Sequence, residues 1–550
     1  MNLRACSLVA AAALAMAACS TTATNSSGEG SVAVEDGVGT TDGGGGGGST
    51  GARAATASPD SSATDGAGGV VDGSSGAGAD GSTGSSGSRG TGSDGSDGSD
   101  GSSGSGGSTG SGGSGGSGGA GGAGTPPAPT GAKLVQGSGP GYTEDEIYIG
   151  IQLVEDTGPA FAAVGAGGGN SVAPDEEGIA ETMVDYINAT GGMAGRTLVP
   201  VYHRTQVLSG TWASQAAASC AAFTQDNEVI AAVTSATGGS DSLWDCTSQR
   251  GVPVVERNIW PWDDPYFTDR PDMLYVPGKM SSSRWIDHYI NGLDDLGFFE
   301  GATLGVLYFD GQPFERLMEA KFLPALERVG FDDPEVAAIT RPPSVGDFGN
   351  MSAEINNALV RFRSSGVTHI VMLEWAGILP FFALPSADQQ RYYPQWGFSS
   401  NDIPLTLNSF ASQEQLANGQ GVSWVPPTDV VLIELEDDPV RANREVKCRE
   451  AYNGSGAGHH NGSMCDALLF LQFALNRATD LSAAGLATAV GNLGRDYQSP
   501  MALSTYLRSN PFHDGADAIR LFDWEPACAT VEGEDLGCYQ YVSALKAAPR

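Results

Sequence analysis

The apolar and polar positions divide the chain near residue 140. From Thr21 to Gly131 the residues are mainly Gly, Ser, Thr, Ala and Asp, with almost no large apolar side chain. Such a segment cannot offset its ordering entropy by burial and reads as a flexible linker. Beyond it, strand and helix patterns alternate. The run 147–154 (IYIGIQLV) is rich in branched residues and predicts a buried strand. Ile179, Met183 and Ile187 recur at helical spacing, and Gly191-Gly192 ends that helix. A strand over 198–202 follows, with Pro200 marking a sheet edge because proline cannot donate to a ladder. Helices near 212–223 and 240–248 then separate strands at 229–233 and 252–255.

A second alternating block begins with a helix over 281–296 and a continuous apolar strand over 303–309. Residues 314–329 carry one apolar stripe, with Pro324 placed to kink the helix. Strands near 335–339, 367–373 and 394–397 and a helix over 351–362 complete the block. Beyond Pro404 the alternation weakens. A strand at 430–435, a helix at 440–452, an apolar helix at 464–478 and a disulfide-clipped hairpin over 522–542 are expected. Repeated alternation predicts an α/β protein with mainly parallel sheets flanked by helices, and two blocks predict two lobes. About 400 residues are enough for two cores.

Residues 1–18 read as an export signal, with Arg4 ahead of an apolar run from Leu8 to Ala18 that is short for a bilayer span. Met16-Ala17-Ala18-Cys19 resembles a bacterial lipoprotein cleavage site, which implies lipid attachment at Cys19 and an extracytoplasmic, membrane-anchored protein. Residues 19–140 would then be anchor and linker, a coil with a span of roughly 60 Å. The formal net charge of −36, with only 5 Lys among 28 basic residues, argues against nucleic acid as a partner. Besides Cys6 in the signal and Cys19, six cysteines agree with export. Their proximity in sequence suggests Cys220–Cys246, Cys448–Cys465 and Cys528–Cys538, and none has CxxC spacing.

Catalytic and metal motifs are missing: there is no HExxH and no Walker A, and GxSxG occurs only in the linker. No cofactor is called for. His459-His460 sits in a Gly/Asn loop without ligand partners at metal spacing, and His369 reads as core. The acid pairs Asp263-Asp264 and Asp437-Asp438 read as solvated loop positions. NIWPWDDPYF, 258–267, is an aromatic cluster in a loop that reads either as a satellite hydrophobic cluster or as one wall of a binding site.

Several collinear motifs resemble the type I periplasmic-binding fold, in its branched-chain amino-acid type of substrate-binding protein for ABC importers. They are Ile147-Tyr148-Ile149-Gly150-Ile151 with Thr157-Gly158-Pro159, INATGGMAGR at 187–196, Val233 to Gly239, and Gly305 to Asp310. The resemblance implies two lobes, 141–278 with 405–505 and 279–404 with 506–550, that close on a small ligand. It implies a monomer that works with a membrane permease and carries no catalytic residues. A ligand-binding sensor on the same fold, or a secreted hydrolase, stays open as an alternative. By the resemblance, Thr237 and Gly238 hold the ligand's anionic end, with Asn258 and Trp260 beside them and Phe161 and Val164 from the first loop. Trp375 matches an aromatic lid, and His460 falls near another aromatic contact. Ser399 stands where the family's ammonium-binding acid is expected, with Asp402 or Glu374 as substitutes. This departure widens the expected ligand from an amino acid to an amide or an aromatic or apolar acid. Of the aromatic loop, Asn258 to Trp260 are expected at the cleft, and Trp262, Tyr266 and Phe267 are expected to pack the loop.

Overall fold

A computed structural model of the chain describes residues 135–155, 175–235, 238–257, 259–430, 448, 462–509, 511–528 and 537–550. The first sheet has strand order β2-β1-β3-β4-β5, formed by β1 (Glu146–Glu155), β2 (Thr197–Gln206), β3 (Ala231–Thr234), β4 (Val254–Glu256) and β5 (Leu274–Tyr275). Every pairing in it is parallel. Pro200 lies on edge strand β2 opposite Ile149, where its missing N–H interrupts no second neighbour. One face of this sheet is covered by α1 (Glu176–Ala189). There Ile149, Ile151 and Leu153 pack with Ile179, Met183 and Ile187. The other face receives α2 (Trp212–Ala221), and Gln152 binds Thr205 and Ser219 beneath it. α3 (Ser240–Gln249) follows β3.

The chain then crosses at 276–281 into α4 (Ser282–Asp295), whose one side of Trp285, Ile286, Tyr289, Ile290 and Leu293 is wholly buried. The second sheet contains β6 (Leu304–Phe309), β7 (Glu335–Ile339), β8 (His369–Leu373), β9 (Gln395–Ser399) and β10 (Gly419–Ser423) in the order β10-β9-β8-β6-β7. That order repeats the winding of the first sheet, and these pairings too are all parallel. Strands β11 (Ala518–Glu525) and β12 (Cys538–Tyr541) then add antiparallel at the β10 edge. α5 (Phe348–Ser365) and α6 (Ile378–Gln389) cover this sheet, while α7 (Gly462–Leu475) and α8 (Ala483–Gly491) belong to the first core.

Two expectations need correction. The chain does not return to the first lobe at 405, because β10 still pairs parallel with β9. The weakened alternation after Pro404 reflects short helical turns around β10, not a change of lobe. The segment 314–328 is not a simply kinked helix. A wide π turn over Met318–Phe322 precedes Pro324, which sits in the first turn of the next helical piece. Widening the turn relieves the clash between the proline ring and the carbonyl four residues back.

The three disulfides join Cys220–Cys246, Cys448–Cys465 and Cys528–Cys538, with Cα–Cα separations of 6.1, 5.9 and 5.6 Å. The last clips the β11–β12 hairpin. His369 packs edge-on against Phe298, centroids 5.0 Å apart, but is only half-buried, so it edges the core instead of lying within it. The leader, Cys19, the linker and most of the strand and helix expected over 430–452 lie outside the described residues. Among the described residues no helix is long and apolar enough to cross a membrane.

Candidate functional site

In parallel sheets the loops beyond the carboxyl ends of the strands form the ligand crevice, at the point where the winding reverses. Here the loops from the two sheets meet each other. Trp260, just past β4, lies 5.6 Å from Trp375, just past β8. It also meets Phe314 at 6.0 Å, and Phe309 at the end of β6 lies 4.2 Å from Trp375. The same loop therefore splits its rings. Trp260 reaches the opposite sheet, while Trp262 stands edge-on to Tyr266 at 4.8 Å and Phe267 packs toward Phe512. The indole N–H groups of Trp244, Trp260, Trp262 and Trp375 are buried and find no acceptor among the described residues. Buried donors normally have partners, so four together mark an interlobe seam rich in unanswered donors.

Polar clasps surround the aromatic seam. Asp263 takes a two-pronged ion pair from Arg316, at 2.6 and 2.9 Å. Asp263 is only 2 % exposed, which corrects the expectation of a solvated acid pair. Burial raises its carboxyl, against the lowering effect of Arg316. Arg341, just past β7, pairs with Asp241 of α3 at 3.2 Å and stands 5.5 Å over the Trp260 ring. Trp212 donates its indole N–H to Pro342 O at 2.8 Å and its backbone N–H to Pro343 O at 3.0 Å. Gly238 has φ +27°, and a Cβ there would stand 2.6 Å from the Trp212 ring. The glycine lets the loop after β3 approach that indole closely.

Behind the second wall sit three buried carboxyls, Glu374 and Asp402 just past β8 and β9 and Asp429 at the end of the helical turn that follows β10. Glu374 follows β8 and accepts the N–H groups of Gly377 and Ile378 at 2.9 and 2.8 Å. Asp402 accepts from the Ser399 backbone N–H and hydroxyl at 2.6 and 2.8 Å. Asp429 takes the hydroxyls of Ser400 and Thr428. Burial pushes Asp402 and Asp429 up to about 7. Glu374 is raised well above its ordinary value, first by burial and then by the Asp402 charge. Asp402 Oδ1 has no N–H or O–H donor of its own. The Glu374 and Asp402 carboxyls act on each other electrostatically. These acids and Ser399 are thus engaged with their own lobe.

On the first wall, Arg257 at the end of β4 pairs with Glu176 at the start of α1, 2.7 Å apart and both buried. Glu176 also caps the Val154 N–H at 2.7 Å. Of the residues expected at the site, Gly238, Trp260 and Trp375 stand at the interlobe seam. Ser399 and Asp402 lie behind it, inside the second lobe. Phe161, Val164, Thr237, Asn258 and His460 lie outside the described residues. Sequence reasoning missed Glu176–Arg257, Asp263–Arg316 and Asp241–Arg341, since their partners are 53 to 100 residues apart.

No family model matches the chain, and no curated protein matches it. Solved structures do resemble it. An extracellular ligand-binding receptor from Verminephrobacter eiseniae is 14% identical over 71% of this chain and 99% of that one, with TM-score 0.49. A fatty acid ABC transporter substrate-binding protein from Thermomonospora curvata is 14% identical over 75% and 94%, with TM-score 0.49. An ABC transporter substrate-binding protein from Desulfitobacterium hafniense, in complex with Leu, is 17% identical over 72% and 100%, with TM-score 0.47. The same winding repeated in two parallel sheets, with the loops beyond their strand ends meeting at Trp260 and Trp375, is a two-lobed, doubly wound α/β architecture.

Proposed function

We propose that the protein is an extracytoplasmic solute-binding protein that closes its lobes over a small organic molecule and presents it to an ABC permease. The observation that carries this reading is the seam between Trp260 and Trp375. Large rings from opposite lobes meet there, and their indole donors are unanswered. Aromatic walls with a few placed donors suit a compact ligand with an apolar or flat body. Closure would bring both walls onto it by hinge motion at the crossings. Native mass spectrometry of the purified protein tests this reading, and Trp260→Ala supplies the arm that locates the solute.

We further propose a lipid on Cys19 as the tether, on the strength of Met16-Ala17-Ala18-Cys19. The linker would let the lobes work away from the lipid surface. Cys19→Ala is expected to move the protein from the membrane fraction to the soluble one. A variant that stays with the membrane contradicts the anchor.

A further inference from the structure

The first lobe carries a buried polar floor that the aromatic seam does not explain. Ile151 pairs with Val233, and Val233 with Val255. Just past these strands, the Ser235 N–H donates to Gln152 Oε1 at 3.1 Å and Arg257 Nη2 donates to Gln152 O at 3.4 Å, so both residues stand beside the end of β1. Arg257 Nη2 also donates to Glu176, the first residue of α1, at 2.7 Å. Ser235, Arg257 and Glu176 thus gather at the carboxyl edge of the sheet, three residues before Trp260.

Each of the three holds a polar atom without a partner among the described residues. These are Ser235 Oγ, Arg257 Nε and Glu176 Oε1. The residues are 1 %, 5 % and 5 % exposed. The other atoms of the ion pair are engaged: Glu176 Oε2 accepts from Arg257 Nη2 and the Val154 N–H. The floor therefore offers a donor on Arg257, a hydroxyl on Ser235 and an acceptor on Glu176, around a charge-balanced pair.

We propose that this floor binds the head of the solute and selects a neutral primary carboxamide. This rests on the solute-binding reading and names the class of solute. The carbonyl oxygen accepts from Arg257 Nε–H and the Ser235 hydroxyl, and the amide N–H donates to Glu176 Oε1. A carboxylate satisfies Arg257 but meets the Glu176 charge. An ammonium satisfies Glu176 but meets Arg257. A zwitterionic head matches both signs, yet gives up far more hydration than an amide to enter a site already neutral. The apolar body of the molecule then lies against Trp260 and Trp375.

The test is calorimetry of the full chain with phenylacetamide, phenylacetate, phenethylamine and L-phenylalanine. Phenylacetamide is expected to bind at least about tenfold tighter than the other three. Ser235→Ala and Arg257→Lys are each expected to weaken it by about tenfold. Glu176→Gln removes the repelling charge and is expected to shift preference toward phenylacetate, which a merely structural Glu176 would not do. Tighter binding of phenylacetate or phenylalanine to the wild-type protein overturns the amide assignment and leaves solute binding standing. An amide affinity unchanged in folded Ser235→Ala and Arg257→Lys proteins overturns it as well. If none of the four compounds binds, the amide assignment falls, and the solute-binding reading is decided separately by native mass spectrometry.

Discussion

Asp514→Ala is expected to lower the unfolding free energy by about 3–5 kcal/mol, the range found when one partner of a buried ion pair is removed. Asp514 is fully buried in the region where the chain passes between the lobes. It accepts from the Ser281 N–H at 2.9 Å and from Arg284 Nε and Nη2 at 3.0 and 2.6 Å. Arg550 adds a further bond at 2.9 Å. The two crossings are stitched beside it: Val276 N–H donates to His513 O, Gly515 N–H to Val276 O and Ala516 N–H to Lys279 O. Removing the carboxylate leaves the buried Arg284 without its counter-charge and unties the first crossing from the last. Denaturant unfolding of the wild type and the variant reads the loss. A change below about 0.5 kcal/mol, the level of an ordinary surface substitution, would show that the crossings do not depend on this pair.

The second large effect is a dependence on pH. Asp402 and Asp429 are held up to about 7 by burial, and Glu374 is raised with them. In the unfolded chain such carboxyls release their protons near pH 4. Between about pH 4 and 7 the folded state therefore holds protons that the unfolded chain has lost, and stability falls as pH rises. The contribution is complete below the unfolded value and is lost once pH passes the folded one. For Asp429 a rise of about three units amounts to about 4 kcal/mol across the window. His513, pushed down to about 4 by burial, works in the opposite sense up to its ordinary value. The comparison with Asp429→Asn isolates the acid. That variant should lose less stability than the wild type between about pH 5 and 8. Parallel curves for the two proteins would contradict the account.

The layered α/β architecture was legible because a doubly wound sheet writes itself into local pattern. Strands buried on both faces read as continuous apolar runs, such as 147–154 and 303–309, and the helices between them carry one apolar stripe. Pro200 correctly marked an edge. The lobe boundary after Pro404 was not legible. β10 is a short Gly/Gln/Val/Ser strand, and its membership depends on pairing with β9 rather than on its own composition. The aromatic loop could be placed, because its strand could be counted. What Asp263 does could not be read, because its partner Arg316 lies 53 residues on, in the other lobe. Glu176 and Arg257, 81 residues apart, were invisible for the same reason. Charged residues in unremarkable local sequence become site components only when the fold joins their strands.

The central claim is that the lobes capture a small molecule at the Trp260–Trp375 seam. Native mass spectrometry of the gently purified, undialysed protein tests it most directly, on the wild type and on Trp260→Ala. The account predicts a single noncovalent organic adduct on the wild-type chain, lost or strongly depleted in a folded Trp260→Ala protein. A wild-type chain that carries no small molecule, or a variant that retains the adduct in full, would contradict it.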